Sequence, residues 1–218
     1  MRLLVISDIH EKMSYFEKAL NMLEGGFEAI VVAGDITYFK PFEDAVEFLK
    51  RMREISGKRI YFVPGNCDPP SMLTWSLEEE GIFNIHQKLT DLNDYHLYGI
   101  GGGNISPFNT LIEWSETDFE RLLPNKEPGI CEKLIMVTHT PIKGMFDEVR
   151  GLNIGSASFL NFMESCGPLA WITGHVHEHK GVVRRGRTVV IHPGPLMKGN
   201  FGVLELIGEK VDVKLFRS

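Results

Sequence analysis

Cysteine is scarce in this chain: Cys67, Cys131 and Cys166 are the only three in 218 residues, and no two form a C-x-x-C pair. That leaves no even disulfide framework and no thiolate cluster for a structural zinc knot, and it suits a reducing compartment, with Cys131 and Cys166 expected as small buried hydrophobes. Long apolar runs are missing as well. No segment reaches the ~20 apolar residues of a membrane span. The apolar stretch at 3–6, stopped by Ser7 and Asp8, is too short for a signal-peptide core. We therefore expect a buried first strand, a cytoplasmic protein and no membrane partner. Positive charge is in deficit, with 23 Lys and Arg against 29 Asp and Glu and a formal net charge of −6. Broad binding of DNA or RNA needs clustered cations, so nucleic acid enters only as a possible substrate. Linkers, repeats and low-complexity segments are lacking too, and residues 1–218 are expected to form one domain of no implied oligomeric state.

What the chain does have is alternation. The apolar run 3–6 precedes helical spacing near 13–23, where Phe16, Leu20 and Leu23 share a face. The run 29–33 precedes a second helical pattern near 42–55, carrying Ala45, Phe48, Leu49 and Met52, and 59–63 starts the plan again. Successive β-then-α units predict parallel strands with right-handed crossovers, so the strand ends all point one way. Beyond them we expect a helix near 71–80, strands at 85–89 and 95–100 about an Asn93-Asp94 turn, and a mobile loop from Gly101 to Trp114. The glycines at 99–103 lack the last position of a dinucleotide fingerprint and run into Ser106-Pro107, so that reading is set aside. Ser115 and Asp118 are placed as a capping box for a short helix through Leu123. Strands at 134–138 and 169–173 flank a helix near 156–165, and hairpins about Gly186 and Gly208 close the chain.

Polar clusters stand at the ends of these strands: Asp8-Ile9-His10, Gly34-Asp35, Gly65-Asn66-Cys67-Asp68, His139-Thr140-Pro141 and Gly174-His175-Val176-His177. In open α/β sheets the carboxyl edge is where ligands sit. Asp8, His10, Asp35, Asn66, His139, His175 and His177 mix carboxylate, imidazole and amide donors without thiolates, a set suited to Mn²⁺, Fe, Zn²⁺ or Ni²⁺. Seven donors exceed what one ion can use while leaving room for a substrate. Two divalent or trivalent ions sharing a bridging carboxylate resolve the excess.

In order and spacing these five clusters resemble the five motifs of the calcineurin-like metallophosphoesterases, in a variant with Gly-Asn-Cys-Asp found in small microbial members, and 191–195 is similar to the segment that follows the last motif. The resemblance implies a four-layer α/β/β/α sandwich with two mostly mixed β-sheets. It assigns Asp8, His10, Asp35 and His177 to one ion and Asp35, Asn66, His139 and His175 to the other, with manganese foremost. Asp35 would bridge ions about 3.5–4 Å apart, and a hydroxide shared between them would attack a small phosphate ester in line. Phosphodiesters are the expected substrates.

Asn66, Cys67, Asp68 and His139 make up the expected catalytic set, Asp68 as an anchor for the turn. Cys67 stands where many members carry a His that orients the substrate or protonates the leaving oxygen. A thiol is a weak replacement, so good leaving groups, or another acid such as His192, are expected to take over. The competing readings are a non-catalytic scaffold on the same fold and a metal-dependent nuclease. Arg184, Arg185 and Arg187 read as a solvated hairpin tip, His86, His96 and His179 as surface or structural, and Phe108, Asn109 and Trp114 as residues that could close over substrate.

Overall fold

The computed structural model describes residues 1–23 and 25–218. Its first half alternates β1 (Arg2–Ile6), α1 (Met13–Met22), β2 (Ala29–Ala33), α2 (Phe42–Ser56) and β3 (Arg59–Val63). Then come β4 (Ile82–Asn84), the hairpin of β5 (Thr90–Leu92) and β6 (Tyr95–Ile100), the short pair β7 (Gly103–Asn104) and β8 (Glu113–Trp114), and the helices α3 (Glu116–Leu122) and α4 (Pro128–Cys131). The rest runs through β9 (Leu134–Thr138), a small hairpin of β10 (Glu148–Val149) and β11 (Leu152–Asn153), α5 (Ala157–Cys166), β12 (Ala170–Ile172), β13 (Gly181–Arg185), β14 (Thr188–His192), β15 (Asn200–Ile207) and β16 (Lys210–Arg217).

The strands form two mixed six-stranded sheets, in the orders β16-β15-β1-β2-β3-β4 and β13-β14-β12-β9-β6-β5. Strands β1 to β4 are parallel, as the β-then-α rhythm requires, and so are β6, β9, β12 and β14 in the second sheet. Side chains that alternate along each strand separate the layers. Leu3, Val5, Val31 and Val63 point inward to meet Leu97, Val137, Ile172 and Ile191 of the other sheet. Leu4, Ile6, Val32 and Phe62 point outward, under Phe16 and Ala19 of α1 and Ala45, Leu49 and Met52 of α2. On the far side, Met136, Trp171 and Val190 pack beneath Phe119 of α3 and Phe159, Phe162 and Met163 of α5. This is the expected α/β/β/α sandwich. Strands buried on both faces explain the unbroken apolar runs.

Several elements match their local chemistry. The Ser115 side chain accepts from the Asp118 N–H while the Asp118 carboxylate accepts from the Ser115 N–H, closing the capping box of α3. Strands β15 and β16 pair with Gly202 opposite Leu215 and Leu206 opposite Val211, as the hairpin about Gly208 predicts.

Three expectations fail. Residues 71–80 are not one helix but two 3₁₀ turns, Pro70–Leu73 and Glu78–Glu80. Pro69 and Pro70 fix a tight entry, and the Asn84 amide donates to the Met72 and Leu73 carbonyls, diverting acceptors that a longer helix would use. Residues 85–89 make only an isolated bridge, because Gln87 adopts φ 53° and turns the chain; the strand lies earlier, at β4. Finally, Cys131 and Cys166 are bonded to each other, with Cα atoms 5.5 Å apart. Helix α4 sets Cys131 against the end of α5, a proximity that a separation of 35 residues does not announce. Cys67 alone is free, and the cysteine argument for a reducing compartment falls with the bond. Among the described residues, no helix is long and apolar enough to cross a membrane.

Candidate metal centre

Five parallel strands end together, and each delivers polar side chains to one place. Strands β1, β2 and β3 of the first sheet present Asp8 and His10, Asp35, and Asn66; β9 and β12 of the second present His139, and His175 with His177. The backbone there takes shapes that most side chains resist. Asp8 (φ 51°), His10 (φ 44°), Asp35 (φ 51°) and His175 (φ 74°) all lie in the left-handed region, at about 1–3 kcal/mol each. Hydrogen bonds hold them there: Asp8 N–H donates to the Gly34 carbonyl at 3.0 Å, His10 N–H to the Asp35 carbonyl at 3.1 Å, and His175 N–H to the Asp8 carboxylate at 3.1 Å. Two glycines make the crowding possible. A Cβ on Gly65 would collide with the Asp35 carboxylate and backbone nitrogen, and one on Gly34 with the His139 ring.

The side chains form two groups that share Asp35. On one side His177 Nε2 lies 3.1 Å from Asp8 Oδ1 and 3.4 Å from His10 Nε2, and His10 Nε2 lies 3.7 Å from Asp35 Oδ2. One donor atom from each of Asp8, His10, Asp35 and His177 falls within 4.8 Å of all the others, so this group could hold a cation. On the other side His139 Nε2 lies 2.9 Å from Asn66 Oδ1, 3.3 Å from His175 Nδ1 and 3.4 Å from Asp35 Oδ1. The seven residues singled out from the sequence are thus brought together.

Their electrostatics suit a cation. His139 Nδ1–H donates to the Ala33 carbonyl at 2.8 Å, which aims Nε2 at Asn66 Oδ1, His175 Nδ1 and Asp35 Oδ1. Burial opposes protonation of His139, but Asp35 and Asp8 push its pKa up to about 9. Burial would likewise raise Asp8 and Asp35, yet the neighbouring histidines hold both below the usual carboxylate range. For His175, burial and the charge of His139 pull the pKa down to about 4, leaving a neutral ring. Two buried carboxylates kept ionised, facing convergent ring and amide donors, are only partly balanced by a proton on His139. A divalent cation carries the charge that balances both carboxylates.

Asp68 joins two turns. Its carboxylate accepts from Ile36 N–H, Thr37 N–H, Thr37 Oγ1–H and Gly65 N–H at 2.7–3.0 Å, tying the turn after β3 to the turn after β2. Cys67 lies beside Asp35. Its N–H donates to Asp35 Oδ1 at 2.9 Å, and its buried thiol is pushed far up by burial and by the charge of Asp35, so it stays protonated. His192 is also no free acid. It is fully buried, its Nδ1 accepts from Gly194 N–H at 3.1 Å, and burial pulls it down to about 4.

A cleft of about 320 Å³ opens beside the donors, with Asn66, His175 and His177 at its base. The segment 101–114 forms one wall and is pinned in place. Leu111 and Ile112 N–H both donate to the Asn66 carbonyl, and Trp114 Nε1–H donates to the Gly101 carbonyl at 2.8 Å. Phe108 lines the cleft, whereas Trp114 turns inward and stacks on His86 with ring centroids 6.3 Å apart. The opposite wall, residues Val149 and Ile154 about the β10–β11 hairpin, went unread in the sequence. Its signal was the dipeptide Arg150-Gly151, whose positive φ angles of 52° and 81° make a two-residue hairpin turn. His96 pairs with Asp91, His179 donates to the Glu148 carbonyl, and Arg185 and Arg187 engage Glu164 and the Glu132 carbonyl on the exposed hairpin tip.

Comparisons with known proteins agree with this architecture. An uncharacterised protein of Methanocaldococcus jannaschii is 28% identical over 204 residues, 89% of this chain and 88% of that protein. A dimetal phosphatase from Danio rerio superposes with a TM-score of 0.66 at 11% identity, covering 100% of this chain and 98% of that one. A phosphopantetheinyl hydrolase from Mycobacterium tuberculosis gives 0.61 at 14% identity, covering 89% of each. Both structures share the fold. The profile of the calcineurin-like phosphoesterases matches residues 1–179, and the chain belongs to that family.

Proposed function

We propose that the protein is a two-metal phosphoesterase acting foremost on phosphodiesters. Asp8, His10, Asp35 and His177 would hold one cation, and Asp35, Asn66, His139 and His175 the other. One observation carries the reading: a single carboxylate, Asp35, faces His10 through Oδ2 and His139 through Oδ1. Manganese suits the mixed oxygen and nitrogen donors, with Fe, Zn²⁺ or Ni²⁺ as alternatives. Bound there, the cations would neutralise phosphoryl oxygens and supply an acidified water.

The chain's own residues do the positioning. Asp68 fixes the Asn66 turn, and the Asn66 carbonyl in turn fixes the wall of the cleft. In hydrolysis water adds to phosphorus, the bond to the leaving alcohol breaks, and the leaving oxygen takes up a proton. Neither the protonated, buried Cys67 nor His192 is placed to give that proton, so alcohols that leave readily as anions are favoured. Among the described residues the cleft is lined by Glu178 and by no Lys or Arg. That supports a singly charged diester over a doubly charged monoester, and it weakens the nuclease reading.

The test compares bis-p-nitrophenyl phosphate with p-nitrophenyl phosphate under Mn²⁺, Ni²⁺, Zn²⁺ and Mg²⁺. The expected result is metal-dependent turnover favouring the diester. An Asp35→Asn protein with unchanged metal content and unchanged activity would sink the two-metal reading.

A further inference from the structure

The cleft beside the donors has walls of an unusual kind for a site that handles phosphate. Phe108 is 82% exposed and Ile105 68% exposed on one wall, and Leu152, at 70%, stands on the facing hairpin. Phe108 and Ile105, held in water at one opening, mark a binding surface. Both walls are prebuilt, each by a carboxylate turned inward. Glu113 accepts from Ser106 Oγ–H and Thr110 Oγ1–H, both at 2.7 Å, and from Thr110 N–H at 2.9 Å, which cinches the loop bearing Ile105 and Phe108. Asp147 accepts from Asn153 Nδ2–H at 2.8 Å and Gly155 N–H at 3.0 Å, cinching the hairpin. Apolar side chains on walls fixed in this way cannot collapse onto one another, and an opening of about 320 Å³ remains.

The geometry points to a subsite for an apolar ester group on the substrate, resting on the phosphoesterase reading above. The cleft is continuous with the donors through Asn66, His175 and His177, so a phosphate held at the donors would place one of its ester groups against Phe108, Ile105 and Val149. Among the described residues no Lys or Arg lines the cleft, which tells against a polyphosphate or a further nucleotide as the natural occupant. A compact hydrocarbon or aryl group fits the walls.

The experiment holds the leaving group constant. Methyl p-nitrophenyl phosphate, phenyl p-nitrophenyl phosphate and the p-nitrophenyl ester of thymidine 5′-monophosphate are compared in kcat/KM on the Mn²⁺-loaded protein. Calorimetry then compares binding of methylphosphonate and phenylphosphonate. We expect the phenyl ester to exceed both others by about tenfold, and phenylphosphonate to bind about tenfold more tightly than methylphosphonate, or about 1.4 kcal/mol. Both ratios should fall toward one in Phe108→Ser, a change at an exposed side chain. Equal values for phenyl and methyl, or preference for the thymidine ester, overturn the subsite. A phosphonate preference without turnover of any ester supports the subsite and overturns the hydrolytic reading.

Discussion

At Asp35 one side chain serves two clusters, and its surroundings leave little freedom. Its backbone is in the left-handed region, its carbonyl accepts from Ile9 and His10 N–H, and Oδ1 accepts from Cys67 N–H. Asparagine keeps the shape and loses the charge. Asp35→Asn is expected to lower bound metal from about two ions per chain to fewer than one, read by elemental analysis, with activity down about a hundredfold or more. Cys67 offers the converse test. If the missing proton donor limits the reaction, Cys67→His should speed hydrolysis of alkyl diesters by about tenfold or more and leave p-nitrophenyl esters little changed. Equal effects on both substrates would instead assign Cys67 a packing role beside Asp35. These residues were legible in the sequence because each follows its own apolar strand. The inward turn of the thiol was not, since a side chain's direction depends on neighbours contributed by β2.

The segment 101–114 shows what sequence reading could and could not reach at the scale of an element. Its glycines suggest mobility, yet Glu113, Trp114 and the Asn66 carbonyl fix it. Such bonds are invisible in a pattern of glycines because they are made by Glu113 and Trp114 folding back within the segment and by the Asn66 carbonyl from outside it. The buried His86 beneath this segment is part of the same lock: its Nδ1 accepts from Gly101 N–H at 3.0 Å, which requires a neutral ring. Burial pulls its pKa down to about 4 from an ordinary 6.5, so the unfolded chain binds a proton there more readily than the folded one. The stabilisation is complete above pH 6.5 and drains away as pH falls toward 4, by about 3 kcal/mol. Urea midpoints of the metal-free protein should follow that course, and His86→Asn, which keeps an acceptor near Nδ1 and cannot take the proton, should flatten it. The helix expected at 71–80 failed for a related reason, because Asn84 takes the Met72 and Leu73 carbonyls from outside the segment.

For the molecule as a whole, the β-then-α rhythm was enough to predict parallel strands and a shared carboxyl edge, since crossover handedness leaves few alternatives. The covalent tie between Cys131 and Cys166 was not legible, as spacing says nothing about which two cysteines approach in space. Closing a loop of 35 residues should contribute about 4 kcal/mol by chain-entropy reasoning. Cys131→Ala with Cys166→Ala is therefore expected to lower the denaturant midpoint and leave the metal content intact, because neither sulfur is near the donors.

The donors are apportioned between the two sheets. The first sheet supplies Asp8, His10, Asp35 and Asn66, and the second supplies His139, His175 and His177. An ion in either group would therefore rivet two slabs that otherwise meet through apolar side chains, and metal occupancy becomes part of folding energetics as well as of catalysis. A cation at a hundred times its dissociation constant adds about 2.7 kcal/mol to such a structure. Chelation should lower the melting temperature and speed amide exchange in β1 and β9 together, one strand from each slab.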